Sequence, residues 1–224
     1  MNTMQSGFDS WNISLPLSFT EMASTSFLFH DETIRAVAAD VSKNVTMNNH
    51  QNGIDPASFQ NNMALSSMFD MLSTNVDRKG RGFVSSMEAK FYPFYGVQFH
   101  PEKNNFEYGT YPGTDIPYEA IHHSSDAIAV SFYMAQLFVD EARRNTQHVY
   151  SGDVELFPSV WSYEMRSGVD FEQIFLIPNI STTKVEQYPL NADDVTRKNA
   201  IGKRGGEKKD LRKGTKVSLR ASIG

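Results

Sequence analysis

Cysteine is absent from all 224 residues. That excludes disulfides, thiolate-bound metals and a thiol nucleophile supplied by this chain, and it leaves the redox compartment unread. Long apolar runs are missing too: nothing approaches the eighteen or so residues that a membrane helix needs. The opening stretch MNTMQSGFDSWN has neither a basic n-region nor a hydrophobic h-region, so no targeting leader is read there. What remains, 40% apolar and 12% aromatic, is the composition of a soluble globular unit with a full core.

The net charge of −5 averages two unlike regions. From Asp193 to Gly224 there are ten Lys or Arg against four acids, or +6, so residues 1–192 carry −11. Glycine, lysine and arginine replace apolar residues from about Asn191, and the tail is expected to be disordered. It lacks interleaved aromatics and amphipathic spacing, which argues against nucleic acid and membrane as partners.

Along the chain, ISLPLSF (Ile13 to Phe19) reads as a strand whose Pro16 marks an edge or an end. Asp31 caps a helix expected over Glu32 to Ala39. Asp55-Pro56 has the form of an N-cap followed by proline at the first helical position, and Phe59, Met63, Met68, Phe69 and Leu72 predict a helix over 56–73. The polar run NVDRKGRG (Asn75 to Gly82) predicts an exposed turn, followed by strands at 83–88 and 94–99. SSDAIAVSFYMAQLFVDEARRN predicts a long helix with Ile128, Phe132, Leu137 and Phe138 near one face. VDFEQIFLI (Val169 to Ile177) predicts a last strand.

The chemistry concentrates in YGVQFHPEK (Tyr95 to Lys103). Alternation puts Tyr95, Val97 and Phe99 on one face of the strand, which ends at His100. Pro101 has no N–H for the ladder and restricts the residue before it, so His100 is held at the strand's tip. Glu102, two residues on in extended chain, emerges on the same side and accepts a hydrogen bond from the ring. Such a pair fixes the tautomer and stabilises an imidazolium during proton transfer.

YGVQFHPEKNNFEY (Tyr95 to Tyr108) closely resembles the active-site segment of gamma-glutamyl hydrolases, the folate-polyglutamate-cleaving branch of the class I glutamine amidotransferase superfamily. LPLSFT (Leu15 to Thr20), SKNVTMN (Ser42 to Asn48), MLSTNVD (Met71 to Asp77), FVSSMEAKFYPFYG (Phe83 to Gly96), AVSFYMAQLFVDEARRN (Ala129 to Asn145) and FEQIFLI (Phe171 to Ile177) resemble that family in its order. The resemblance implies an α/β fold, the C-terminal half of a flavodoxin-like, class I glutamine amidotransferase-like domain over 13–177, with the basic tail at 178–224 outside it. It also implies His100 as proton shuttle, Glu102 as its support, folate poly-gamma-glutamate as substrate, a homodimer, and a lysosomal, vacuolar or secreted location. No cofactor is implied.

The family's nucleophile is a cysteine in a Gly-x-Cys-x-Gly turn, and neither that turn nor a Gly-x-Ser-x-Gly elbow occurs here. The expectation is therefore a C-terminal portion that does not turn over substrate alone. The alternatives are a non-catalytic binding or decoy module and the glutaminase portion of an amidotransferase.

Three weaker signals complete the reading. The sequons at Asn12, Asn44 and Asn179 are about as many as composition alone predicts. His122 and His123 lack a third ligand at metal spacing and read as loop or helix-start residues. Arg78, Lys79, Arg81 and Lys103 are candidates to meet a polyanionic substrate, against the default of solvated turn residues.

Overall fold

The computed structural model describes residues 3–103, 105–146, 159–168, 171 and 173–177. These fall in two compact units, residues 3–146 and residues 159–177. The first unit holds strands β1 (Met4–Leu15), β2 (Ser18–Phe19), β3 (Thr46–Ile54), β4 (Phe69–Val76), β5 (Gly82–Ala89) and β6 (Tyr95–Val97). Its helices are α1 (Glu32–Ala39), α2 (Pro56–Asn61), α3 (Met63–Met68) and α4 (Ser125–Arg143). Strands β1 and β3 form one pair, and a second sheet has the order β2-β4-β5-β6. The fold is mixed α and β, as expected, and every ladder between named strands is antiparallel among the described residues.

Caps set several boundaries. The Asp31 carboxylate accepts the Ile34 N–H at 3.0 Å and opens α1, and Asp55 accepts the Ser58 N–H at 2.8 Å and opens α2 with Pro56 behind it. The predicted helix over 56–73 does not continue, however. Asn62 leaves helical geometry (φ −86°, ψ 97°) and its side chain caps a second short helix, and at Phe69 the chain turns into β4. Met63 is 76% exposed, so the apolar spacing that predicted one helix face does not correspond to a buried stripe. The strand predicted over 13–19 is likewise two pieces: Pro16 separates the end of β1 from β2, consistent with its missing N–H.

Helix α4 is where the sequence places it, but it buries a different face. Ala127, Val130 and Met134 are buried, with Tyr133 and Leu137 partly so, whereas Phe132 is 64% exposed and Phe138 49%. The alternating 3 and 4 spacing of 127, 130, 134, 137 and 141 is the true stripe, and large aromatic side chains mask it in the sequence. The apolar members of that stripe pack with Leu17, Phe29, Leu72 and Phe99 into one core. Each such side chain fully removed from water contributes about 1.5–3 kcal/mol.

In the second unit, strands β7 (Glu164–Arg166) and β8 (Ile174–Leu176) pair antiparallel, and Trp161 packs edge-on against Phe175 at 5.3 Å. The strand predicted over 169–177 is realised at Ile174–Leu176; residues 169, 170 and 172 lie outside the described residues, as do 178–224. Among the described residues no helix is long and apolar enough to cross a membrane.

Candidate active site

Strand β6 is shorter than its sequence predicts. The ladder to β5 ends at Val97, the Gln98 N–H still reaches the Ser85 carbonyl at 2.8 Å, and the chain then bends. Val97 is therefore exposed while Phe99 is buried, so the simple alternation through 99 does not hold. The bend delivers His100 to β3, where its N–H donates to the Met47 carbonyl at 2.8 Å. Residues 100–103 form a turn, closed by the Lys103 N–H on the His100 carbonyl at 3.3 Å, in place of the extended chain assumed from sequence.

Within that turn His100 Nδ1 and Glu102 Oε1 lie 2.7 Å apart. The side chains are 28% and 68% exposed, so the pair sits at the surface with the ring the better covered. Burial pushes the Glu102 carboxyl up, but the His100 hydrogen bond, a backbone hydrogen bond and the charges of His100 and Lys103 outweigh it, and the net shift is downward. An ionised carboxylate only accepts, so Nδ1 is the donor and Nε2 is the nitrogen left to take up a proton. This is the geometry of an oriented general base.

A small cleft beside the pair is walled by Val45, Met47, Phe99, His100, Lys103 and His122. The cations proposed for a polyanionic substrate are mostly committed elsewhere. Lys103 Nζ donates to Glu119 at 2.5 Å in a largely covered ion pair. Arg78 reaches Asp9 and the carbonyls of Trp11 and Asn12, while Arg81 reaches the Ser6 carbonyl and Gln5 and lies 3.9 Å over the Phe8 ring. These two arginines fasten β1. His122 Nδ1 meets Ser124 Oγ at 3.0 Å, and His123 Nδ1 meets the Asn105 carbonyl at 2.6 Å, so both rings serve the loop before α4.

One buried histidine escaped the sequence reading. His50 on β3 stands opposite Ser10 across the ladder and lies two residues from Asn48, on the same face. All three are buried, and Ser10 Oγ, Asn48 Oδ1 and His50 Nε2 have no hydrogen-bond partner among the described residues. Burial holds the His50 imidazole below its ordinary range, with the charge of His100 adding to it, against the raising effect of the hydrogen bond to the Asn52 carbonyl. The available signal was its place two residues beyond SKNVTMN, a stretch that resembles the family.

An imidazole oriented by a carboxylate is an arrangement capable of proton transfer, here on a mixed α/β scaffold. Comparison with known proteins narrows it. The chain is 33% identical over 188 residues to gamma-glutamyl hydrolase B of Dictyostelium discoideum, covering 82% of this chain and 52% of that protein. It is 37% identical over 155 residues to gamma-glutamyl hydrolase 1 of Arabidopsis thaliana (67% and 41%) and 32% identical over 173 residues to the Mus musculus gamma-glutamyl hydrolase (70% and 52%). No family model matches the chain. The chain belongs to the gamma-glutamyl hydrolase family, and it spans about half the length of the curated relatives it matches.

Proposed function

We propose that this chain supplies the proton-transfer half of a gamma-glutamyl hydrolase site acting on folate poly-gamma-glutamate. His100 is the catalytic residue and Glu102 its positioning partner. A thiol nucleophile, which this chain does not contain, comes from residues outside this sequence. Nε2 of His100 takes the thiol proton, the thiolate attacks the gamma-carbonyl carbon, and the imidazolium returns the proton to the departing amine as the C–N bond breaks. Water, activated by the same nitrogen, then releases the glutamyl product and restores the thiol. On this reading residues 13–177 are the C-terminal half of a flavodoxin-like, class I amidotransferase-like domain of a lysosomal, vacuolar or secreted homodimer.

The single observation that carries the proposal is the 2.7 Å contact between His100 Nδ1 and Glu102 Oε1 in a chain of this family. The test is an assay of glutamate release from folate poly-gamma-glutamate by the purified chain, paired with calorimetric titration. Binding without turnover is the expected result. Release at a rate typical of a full-length hydrolase refutes the missing nucleophile, and no affinity for gamma-linked glutamate refutes the substrate class.

A further inference from the structure

The loop between the His100 turn and α4 is ordered by its own aromatic contacts. The Tyr118 N–H donates to the Gly109 carbonyl at 3.0 Å and Tyr111 N–H to the Ile116 carbonyl at 2.9 Å, with Thr110 bridged to Pro117. The Tyr118 ring lies close over Gly109: a Cβ there would stand 2.3 Å from Tyr118 Cε2, so a larger residue would displace that ring. Immediately before it, the Tyr108 ring stacks on His123 at 4.4 Å and 28°. His123 is anchored on the carbonyl of Asn105, whose amide donates to the His122 carbonyl at 3.2 Å, and Asn105 and His122 both wall the cleft that holds His100. Tyr108 is nevertheless 62% exposed. The ring is stacked on His123 while the residue stays largely exposed, an aromatic surface joined through His123 and Asn105 to the cleft wall.

Charge gives the cleft little to bind an anionic substrate with. Residues 1–192 carry −11, Arg78 and Arg81 hold β1, and Lys103 is paired with Glu119. A surface that ignores charge adds affinity here, and an exposed ring already stacked on one side offers it at low ordering cost. We propose that the outer face of Tyr108 stacks an aromatic group carried on the amino side of the gamma-glutamyl chain whose scissile amide lies at His100. Tyr108 is thus a specificity-determining residue, an assignment that rests on the hydrolase reading above.

The test uses the full 224-residue chain and two probes, para-aminobenzoyl-gamma-glutamylglutamate and gamma-glutamylglutamate, titrated calorimetrically. The aryl probe binds about three- to tenfold more tightly. Tyr108→Ala erases that difference and leaves the other probe unchanged, and Tyr108→Phe restores it, since stacking does not need the hydroxyl. In the unaltered chain the Tyr108 ring protons shift upfield only with the aryl probe, a readout independent of how the variants fold. If both probes bind and Tyr108→Ala weakens them equally or not at all, the stacking site is overturned while the hydrolase reading stands. If neither probe binds the unaltered chain, the hydrolase reading fails and takes this inference with it.

Discussion

His100 and Glu102 work as a pair because two opposing effects on one carboxyl are unequal. Burial favours the neutral acid, and the hydrogen bond to His100 together with nearby positive charge favours the anion by more. A carboxyl held below its unfolded value stabilises the fold fully above that value, about 4.3 for Glu, and loses the contribution as pH falls through the lowered folded value. Glu102→Gln is therefore expected to unfold at slightly lower temperature than the unaltered chain from pH 5 to 7, with the two curves converging as pH falls through the lowered folded value. The gap is small, since the side chain is mostly exposed. Thermal denaturation followed by circular dichroism reads it, and a gap that persists undiminished in acid contradicts a charge-based pairing. The closeness of this pair was legible from sequence because two residues separate its members, but the turn that brings them together was not, since the reading assumed extended chain. His50 was not, because its burial depends on β1 and Phe83, whose ring lies 4.7 Å away, and no local pattern reports that.

At the scale of elements, the turn between β4 and β5 carries more than its own chain reversal. Asp77, buried within it, accepts the N–H groups of Asp9, Lys79 and Arg81, each at 2.8 Å. Burial raises the Asp77 carboxyl, yet those three bonds and the Arg81 charge bring it below the ordinary aspartate range, so its stabilisation is lost only as pH falls through that lowered value. Asp77→Ala leaves three backbone donors without an acceptor and is expected to cost about 2–4 kcal/mol, measured as a shifted urea midpoint with an unchanged slope. A loss under about 0.5 kcal/mol is the size of an ordinary surface substitution and contradicts the role. The turn itself was readable from its glycines and charges, as α1 and α2 were from their caps. Strands β3 and β4 were not. Asn48, His50, Ser73 and Asn75 are buried polar residues, some bonded, as Asn75 Oδ1 is by Ser85 Oγ at 2.5 Å, and some with an unpartnered atom, as Asn48 and His50 are, so these strands have no hydrophobic alternation to find.

For the whole molecule, the dominant fact is an acidic body of −11 followed by a +6 segment, in a chain about half as long as its relatives. On the proposed hydrolase reading the ligand is anionic, and the +6 segment reduces the net negative charge that it meets from −11 to −5. Deleting residues 193–224 is expected to weaken ligand binding at about 0.02 M salt, with the difference fading above about 0.15 M, where the screening length is about 8 Å. Titration of both forms across salt concentrations measures this, and equal affinities at low salt contradict it.

The guanidinium groups that fasten β1 lie far downstream, with Arg78 66 residues beyond Asn12 and Arg81 76 beyond Gln5. During synthesis the first strand emerges roughly 4 to 15 s before its last clamp, at about 5–20 residues per second. The ladder to β3 needs only residues up to Ile54, whereas the arginine clamps close longer loops at a greater entropy cost. The last hold on this strand thus comes from side chains made well after it, and not from its own local propensity.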